Sequence, residues 1–318
     1  MTRIENVDLN LFEFDYDLTF MVFFLNAEGR IYARYGGRDE VSPDSRQSLA
    51  GLEYTMKSVL RAHRLEKKAF APQARQSPRF VRDFSGPRRR RGCLHCHQVK
   101  EIIHADLRRK GQWSRDLVWR YPLPENLGFT LDVDRGNVIK AVQGDRPASA
   151  AGFKVGDVVQ RLNAVPIHSI ADAQFALDRA PRSGTIEVVW QRGREDHKGK
   201  LKLPEGWRKT DISWRPSVWR LVPFAGIGGT DLTAQEKRDL GLPAKQLAFR
   251  QKAFVSPQAR AAGVRSGDII LGLDDWPLEG DVAAFKRYVQ RQYLVGDKVR
   301  VNVLRAGKRL KLTMTLDR

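Results

Sequence analysis

The chain has 318 residues, 42% of them hydrophobic and 29% charged, which suits two or three soluble globular domains and excludes wholesale disorder. Lys and Arg number 56 against 37 Asp and Glu, a net charge of +19, but the excess is spread along the chain. No RNA-reading aromatic motif or helix-turn-helix pattern accompanies it, so a solvated basic surface is expected and specific nucleic-acid binding is not.

No apolar run approaches the roughly 18 residues of a membrane helix. The opening MTRIENVDLN lacks the basic-then-apolar leader of a secreted protein. The expectation is a chain that does not span a bilayer and has no secretory signal of its own. Leu18 to Leu25, LTFMVFFL, reads as a buried strand, Asn26 to Gly29 as a turn and Arg30 to Tyr35 as a second strand. A helix is expected from about Pro43 or Ser45 to His63, with Leu49, Leu52, Met56, Val59 and Leu60 on one face.

From about Lys67 to Gly92 the chain is rich in Arg, Pro, Gln and Ser, with Arg88 to Arg91 in a run, and a linker or extended arm is expected. RRRRGCLHCHQV then carries both cysteines, and Cys93, Cys96 and His97 open a helix expected to end at Gly111. Two thiols one helical turn apart, followed by His, is the spacing that covalent attachment of haem c needs, with His97 as iron ligand. No obvious distal Met lies nearby, the four being Met1, Met21, Met56 and Met314. The same residues suit a disulfide or dithiol whose thiol pKa the helix N-terminus and Arg88 to Arg91 would lower. A zinc site using Cys93, Cys96, His97 and His104 is the third alternative. All three stay open, haem attachment first among them.

Internal similarity is the most informative signal. ASAAGFKVGDVV (Ala148 to Val159) and ARAAGVRSGDII (Ala259 to Ile270) share the frame A-x-A-A-G-φ-x-x-G-D-φ-φ, and each precedes a helix with apolar spacing and a Gly-led alternating hairpin. The pairs Gly156-Asp157 and Gly267-Asp268 place a small residue at a sharp turn and an Asp able to bond nearby amides, a structural role. Three tryptophans, Trp207, Trp214 and Trp219, alternate with Arg208, Arg215 and Arg220 between the copies, and a packed strap with guanidinium groups on indoles is expected.

GFKVGDVVQRLNAVPI and GVRSGDIILGLDDWPL resemble the core of bacterial PDZ domains, the kind attached to periplasmic proteases. That resemblance implies capture of an extended peptide on a sheet edge, its C-terminal carboxylate held by backbone amides of a φ-G-φ loop. In the first copy the loop is Leu127, Gly128 and Phe129, and the opposite wall is the helix from Ser169 to Leu177, which includes Gln174. The second copy has a glycine-rich loop around Ile227 and the insertion TAQEKRDLGLPAKQLAF, so capture is assigned to the first. No G-x-S-x-G stretch accompanies the modules and no hydrolase is expected; the serine of GVRSG lies inside the second PDZ-like turn.

The hairpin and helix around LNAEGRIYARYGG resemble the second half of a thioredoxin-like domain. With VDLNLFEFDYDLTF, C-x-x-C-H and the PDZ-like copies, the chain resembles a bacterial family of thioredoxin-like/PDZ proteins, some with selenocysteine. That resemblance implies an extracytoplasmic, periplasmic place, and an N-terminal part lost where a selenocysteine codon is read as stop. The fold class expected is α+β multidomain: a partial thioredoxin-like α/β domain (1–66), a basic linker with a C-x-x-C-H helix (67–120), and two PDZ-like partly open β-barrels (121–204 and 225–318) joined by a Trp/Arg-rich connector (205–224). The function expected is a binding adaptor for protein or peptide C-termini, with a haem or dithiol redox protein as the alternative.

Overall fold

The computed structural model describes residues 4–66, 77–85, 94–274 and 278–318. The chain divides into two compact units, 1–210 and 211–318. The first therefore joins the N-terminal hairpin, the C-x-x-C-H helix and the first PDZ-like module.

Strands β1 (Met21–Leu25) and β2 (Ile31–Gly36) form an antiparallel hairpin with Met21 opposite Gly36. Helix α1 (Leu49–Glu66) packs on β2. It starts a turn later than the apolar pattern suggests, because Asp39 accepts from the Ser45 hydroxyl at 2.7 Å and from Arg46 Nε at 2.8 Å and so holds the preceding chain in turns. Helix α2 (Cys96–Arg109) drives Val99 and Ile102 into an apolar cluster with Ile4, Leu9, Phe14 and Tyr16. The Lys100 ammonium is buried beside it and bonds Asp17 at 2.8 Å.

The first module pairs β3 (Phe129–Leu131) with β4 (Ile139–Val142), then places α3 (Pro147–Ala150) after them. Strands β5 (Val158–Leu162) and β6 (Val165–Pro166), helix α4 (Ile170–Asp178), and strands β7 (Gly184–Arg192) and β8 (Glu195–Leu203) follow, with sheet order β6-β5-β7-β8. The second unit repeats the plan. Its elements are β9 (Gly229–Asp231), α5 (Ala234–Asp239), β10 (Phe249–Gln251), α6 (Pro257–Ala261), β11 (Ile269–Leu273), α7 (Val282–Gln292), β12 (Lys298–Arg305) and β13 (Lys308–Thr315). Here all five strands form one sheet, ordered β13-β12-β11-β10-β9. Each module buries its own core, around Phe129, Ile139, Leu162 and Leu177 in the first and Phe249, Ile270, Phe285 and Val301 in the second.

The two Gly-Asp turns are built alike. Asp157 accepts from the Lys154 amide at 2.8 Å and from Arg192 Nε and Nη2 at 2.8 Å. Asp268 accepts from the Arg265 amide at 2.8 Å and from Arg305 Nε and Nη2 at 2.7 Å. Arg192 and Arg305 also reach the carbonyls of Gly152 and Gly263, each at 2.7 Å, so one guanidinium ties the turn to the hairpin in both modules.

The connector does not remain one element: the boundary between units falls after Thr210. Trp207 is buried in the first unit, its indole N–H donating to the Pro181 carbonyl at 3.2 Å. The expected stacking is present, with Arg208, Arg215 and Arg220 guanidinium groups 5.0, 4.4 and 5.6 Å from the Trp207, Trp214 and Trp219 ring centres. Trp219, however, is 46% exposed, because its partners Arg220 and Arg318 cover it only in part.

Candidate functional site

In the first module the peptide-facing residues inferred from sequence have other partners. Every residue of α4 is buried. The Ser169 hydroxyl donates to the Arg34 carbonyl, the Arg34 amide donates to Asp172 Oδ1 at 2.8 Å, and Gln174 Nε2 donates to the Tyr121 carbonyl at 3.3 Å. The Gly128 amide donates to the Glu125 carbonyl at 3.1 Å, while Leu127 and Phe129 lie in the core.

The chain from Arg34 to Gly51 spans the interval between α4 and β3. It begins against α4, where the Arg34 guanidinium lies 3.4 Å from the Phe175 ring centre. Midway, Arg46 Nη1 bonds Glu125 at 2.6 Å, next to the proposed carboxylate loop. It ends at Gly51, where a side-chain carbon would sit 2.2 Å from the Val133 carbonyl oxygen, just beyond β3. Ser48 to Asp134 at 2.6 Å and Tyr54 to Asn137 at 3.0 Å fasten the same contact. The face of the first module that the sequence marked for peptide binding is thus packed against the protein's own N-terminal elements.

Asp172 is the buried pivot of that packing. Its carboxylate accepts from the amides of Arg34 and His168 and from the Ser169 hydroxyl. Burial nonetheless raises its pKa to about 7, and the same burial lowers that of Arg34. A carboxyl whose folded value lies above its unfolded value holds its proton more tightly when folded. Its stabilising contribution is full below about pH 4, the unfolded value, and is lost as pH rises towards 7. Thermal melts from about pH 5 to pH 8 should therefore show a smaller loss in Asp172→Asn than in the natural chain. The opposing slope from His168, lowered by burial, is common to both proteins. Parallel curves would show that Asp172 does not titrate in this window.

The second module presents the opposite case. Ala225, Gly226 and Ile227 form the loop leading into β9, between the Phe224 amide, which donates to the Asp317 carbonyl at 2.7 Å, and the Gly228 amide, which donates to Gln251 Oε1 at 3.1 Å. Gly226 has φ +71°, and a side-chain carbon there would lie 3.0 Å from Ser256 Oγ and 2.9 Å from Gln258 Nε2. All three loop residues are buried, yet among the described residues their amides have no acceptor. Backbone donors in buried residues are almost always paired, so these three are left available to an acceptor outside the described residues.

Strand β9 is the last in its sheet, so one edge has no strand partner among the described residues. Helix α7 faces it, the Val282 amide donating to Asp231 Oδ1 at 2.8 Å. Phe224 and Phe254 are 56% and 74% exposed. The insertion that made this module look unsuited to capture leaves the chain after β9, not in the loop. It builds α5, capped reciprocally by Thr233 and Glu236. Sequence reasoning set this module aside on that insertion, although AGI had the φ-G-φ form already.

In the C-x-x-C-H segment, Cys93 lies outside the described residues, as do Arg88 to Arg91. Cys96 is half-buried against the Phe14–Tyr16 cluster, and burial pushes its thiol pKa up, opposing the helix N-terminus expected to lower it. His97 bonds Glu101 at 3.2 Å at the surface, while His104 is buried and held neutral, burial pushing it down to about 3. Among the described residues no three His, Cys, Asp or Glu side chains are grouped to hold a metal. No helix among them is long and apolar enough to cross a membrane.

Residues 126–203 match the PDZ domain family. The chain is 27% identical over 227 residues to a probable periplasmic serine endoprotease, DegP-like, of Ectopseudomonas mendocina, a match covering 69% of this chain and 46% of the relative. It is 24% identical over 184 residues to the periplasmic serine endoprotease DegP of Salmonella typhimurium, covering 58% and 35% respectively. The chain thus spans less than half the length of these relatives. Among solved structures, an HtrA-type protease, AlgW, with a decapeptide aligns at TM-score 0.27 and 17% identity, over 57% of this chain and 54% of that one.

Proposed function

We propose that this protein is an extracytoplasmic PDZ-type adaptor that binds the C-termini of proteins or peptides through its second module, the first being closed by its own N-terminal elements. The observation that carries this is the run of amides at the buried residues Ala225 to Ile227 that find no acceptor among the described residues, beside the edge of β9 that has no strand partner among them. A carboxylate presents acceptor lone pairs to several amides at once, and the strand behind it extends the sheet by one. The PDZ match falls on the first module, residues 126–203, and supports the ligand class through the plan that the second module repeats, while the periplasmic relatives support the compartment.

The test is binding of a labelled peptide with an apolar last residue and a free carboxylate to the full chain. Amidating that terminus should weaken binding about tenfold or more, because charge-assisted bonds to the loop amides are lost. Equal affinity for acid and amide overturns the reading.

For the C-x-x-C-H segment, haem attachment at Cys93 and Cys96 with His97 on iron, a thiol pair, and a zinc site remain competing proposals. The half-buried Cys96 thiol supports a sulfur held protonated rather than a reactive thiolate. Haem stain retained through denaturing electrophoresis separates the first from the others. The thioredoxin-like assignment of the hairpin and α1 likewise stays a proposal, supported by the strand-turn-strand-helix order.

A further inference from the structure

We infer that Lys286 makes the second module selective for C-terminal peptides that carry an acidic side chain within their last three residues. This rests on the second module being the peptide site. Lys286 stands on the exposed face of α7, one turn after Val282, whose amide is tied to Asp231 at the end of β9. Its side-chain carbon Cε comes within 3.7 Å of where a side chain on Gly228 would begin, so the side chain crosses the groove where β9 leaves the Ala225–Ile227 loop. Any peptide added to the β9 edge with its terminus at that loop passes beneath this ammonium within its last residues.

Among the described residues Lys286 has no acidic partner. Asp231, at the other end of β9, accepts from the Val282 amide, and no ion pair joins it to Lys286 among the described residues. The two aromatic rings left exposed nearby in sequence, Phe224 and Phe254, bring no charge. The groove near the loop is therefore a positive site without a counter-ion, in a chain of net charge +19. An anionic side chain completes it, and a cationic one meets repulsion.

The experiment uses the full chain and three peptides of one sequence: one with a free carboxylate and Glu two residues before its end, one with Gln there, and one with Glu and an amidated terminus. At low salt the Glu peptide should bind about threefold more tightly than the Gln peptide, the scale of a half-exposed ion pair, and the ratio should shrink as salt is raised. In Lys286→Ala the ratio should fall to about one, and in Lys286→Glu it should reverse. Equal binding of the Glu and Gln peptides to the natural chain, with amidation still harmful, overturns the Lys286 inference and leaves the peptide site standing. An unchanged ratio in Lys286→Ala assigns the selectivity elsewhere and overturns it too. Indifference to amidation overturns the peptide site itself.

Discussion

Asp178→Ala is expected to destabilise the first unit by about 3 kcal/mol, with the second unit unaffected. The carboxylate is buried and accepts from Arg120 Nε at 2.7 Å, Arg120 Nη2 at 2.5 Å and the Tyr121 amide at 2.8 Å, with Arg208 Nη1 at 3.6 Å. Burial would raise its pKa, but the bonds from Arg120 outweigh burial and hold it below the usual carboxylate range. Removing it strands one guanidinium and one buried amide. The cost falls at the low end for a broken buried pair because Arg120 is about a third exposed and keeps Glu13 at 3.6 Å. Denaturant unfolding should show the first-unit midpoint falling with unchanged slope. Because the folded value is lowered, the contribution of Asp178 is present above the unfolded carboxyl value and lost in acid, so the gap between variant and natural chain should close as pH falls below about 4.

Gly51→Val should open the first module. Valine is tolerated within a helix at under about 1 kcal/mol, but here its first carbon would sit 2.2 Å from the Val133 carbonyl oxygen, a backbone atom that cannot turn aside. Overpacking of this kind costs about 1–3 kcal/mol and is relieved if α1 leaves the first module. Undocking takes with it the Tyr54–Asn137 and Ser48–Asp134 bonds and uncovers the end of β3. Helix α4 is exposed in turn when β2, on which α1 packs, gives up its Arg34 bonds to Ser169 and Asp172. The natural chain should bind one peptide, and the variant two, with protease cutting newly seen between residues 31 and 66, β2 included. A variant that undocks by the protease criterion yet still binds one peptide would show that α4 and β3 form no second site.

Much of the fold was legible because it depends on local chemistry. The frame around Gly156-Asp157 and Gly267-Asp268 marked both modules, and the Asp-to-amide bonds follow from the turn itself. Arg192 and Arg305, which complete those turns, stand 35 and 37 residues further on, where only the closed sheet brings them back. The choice of groove was not legible for the same reason. Ser169 and Gln174 have the right position on α4, but their partners Arg34 and Tyr121 lie 135 and 53 residues away in sequence. Nothing in the local pattern of either segment announces that β2 will cover α4. Conversely the Ala225–Ile227 loop looked compromised by an insertion that folds as a capped helix of its own.

The central claim, that peptide termini dock at the second module and not the first, is tested most directly by hydrogen exchange of the full chain with and without a free-carboxylate peptide. The account predicts slowed exchange at the amides of Ala225 to Ile227 and along β9, with residues 127–131 unchanged. Protection appearing at 127–131, with 225–231 exchanging as before, would contradict it.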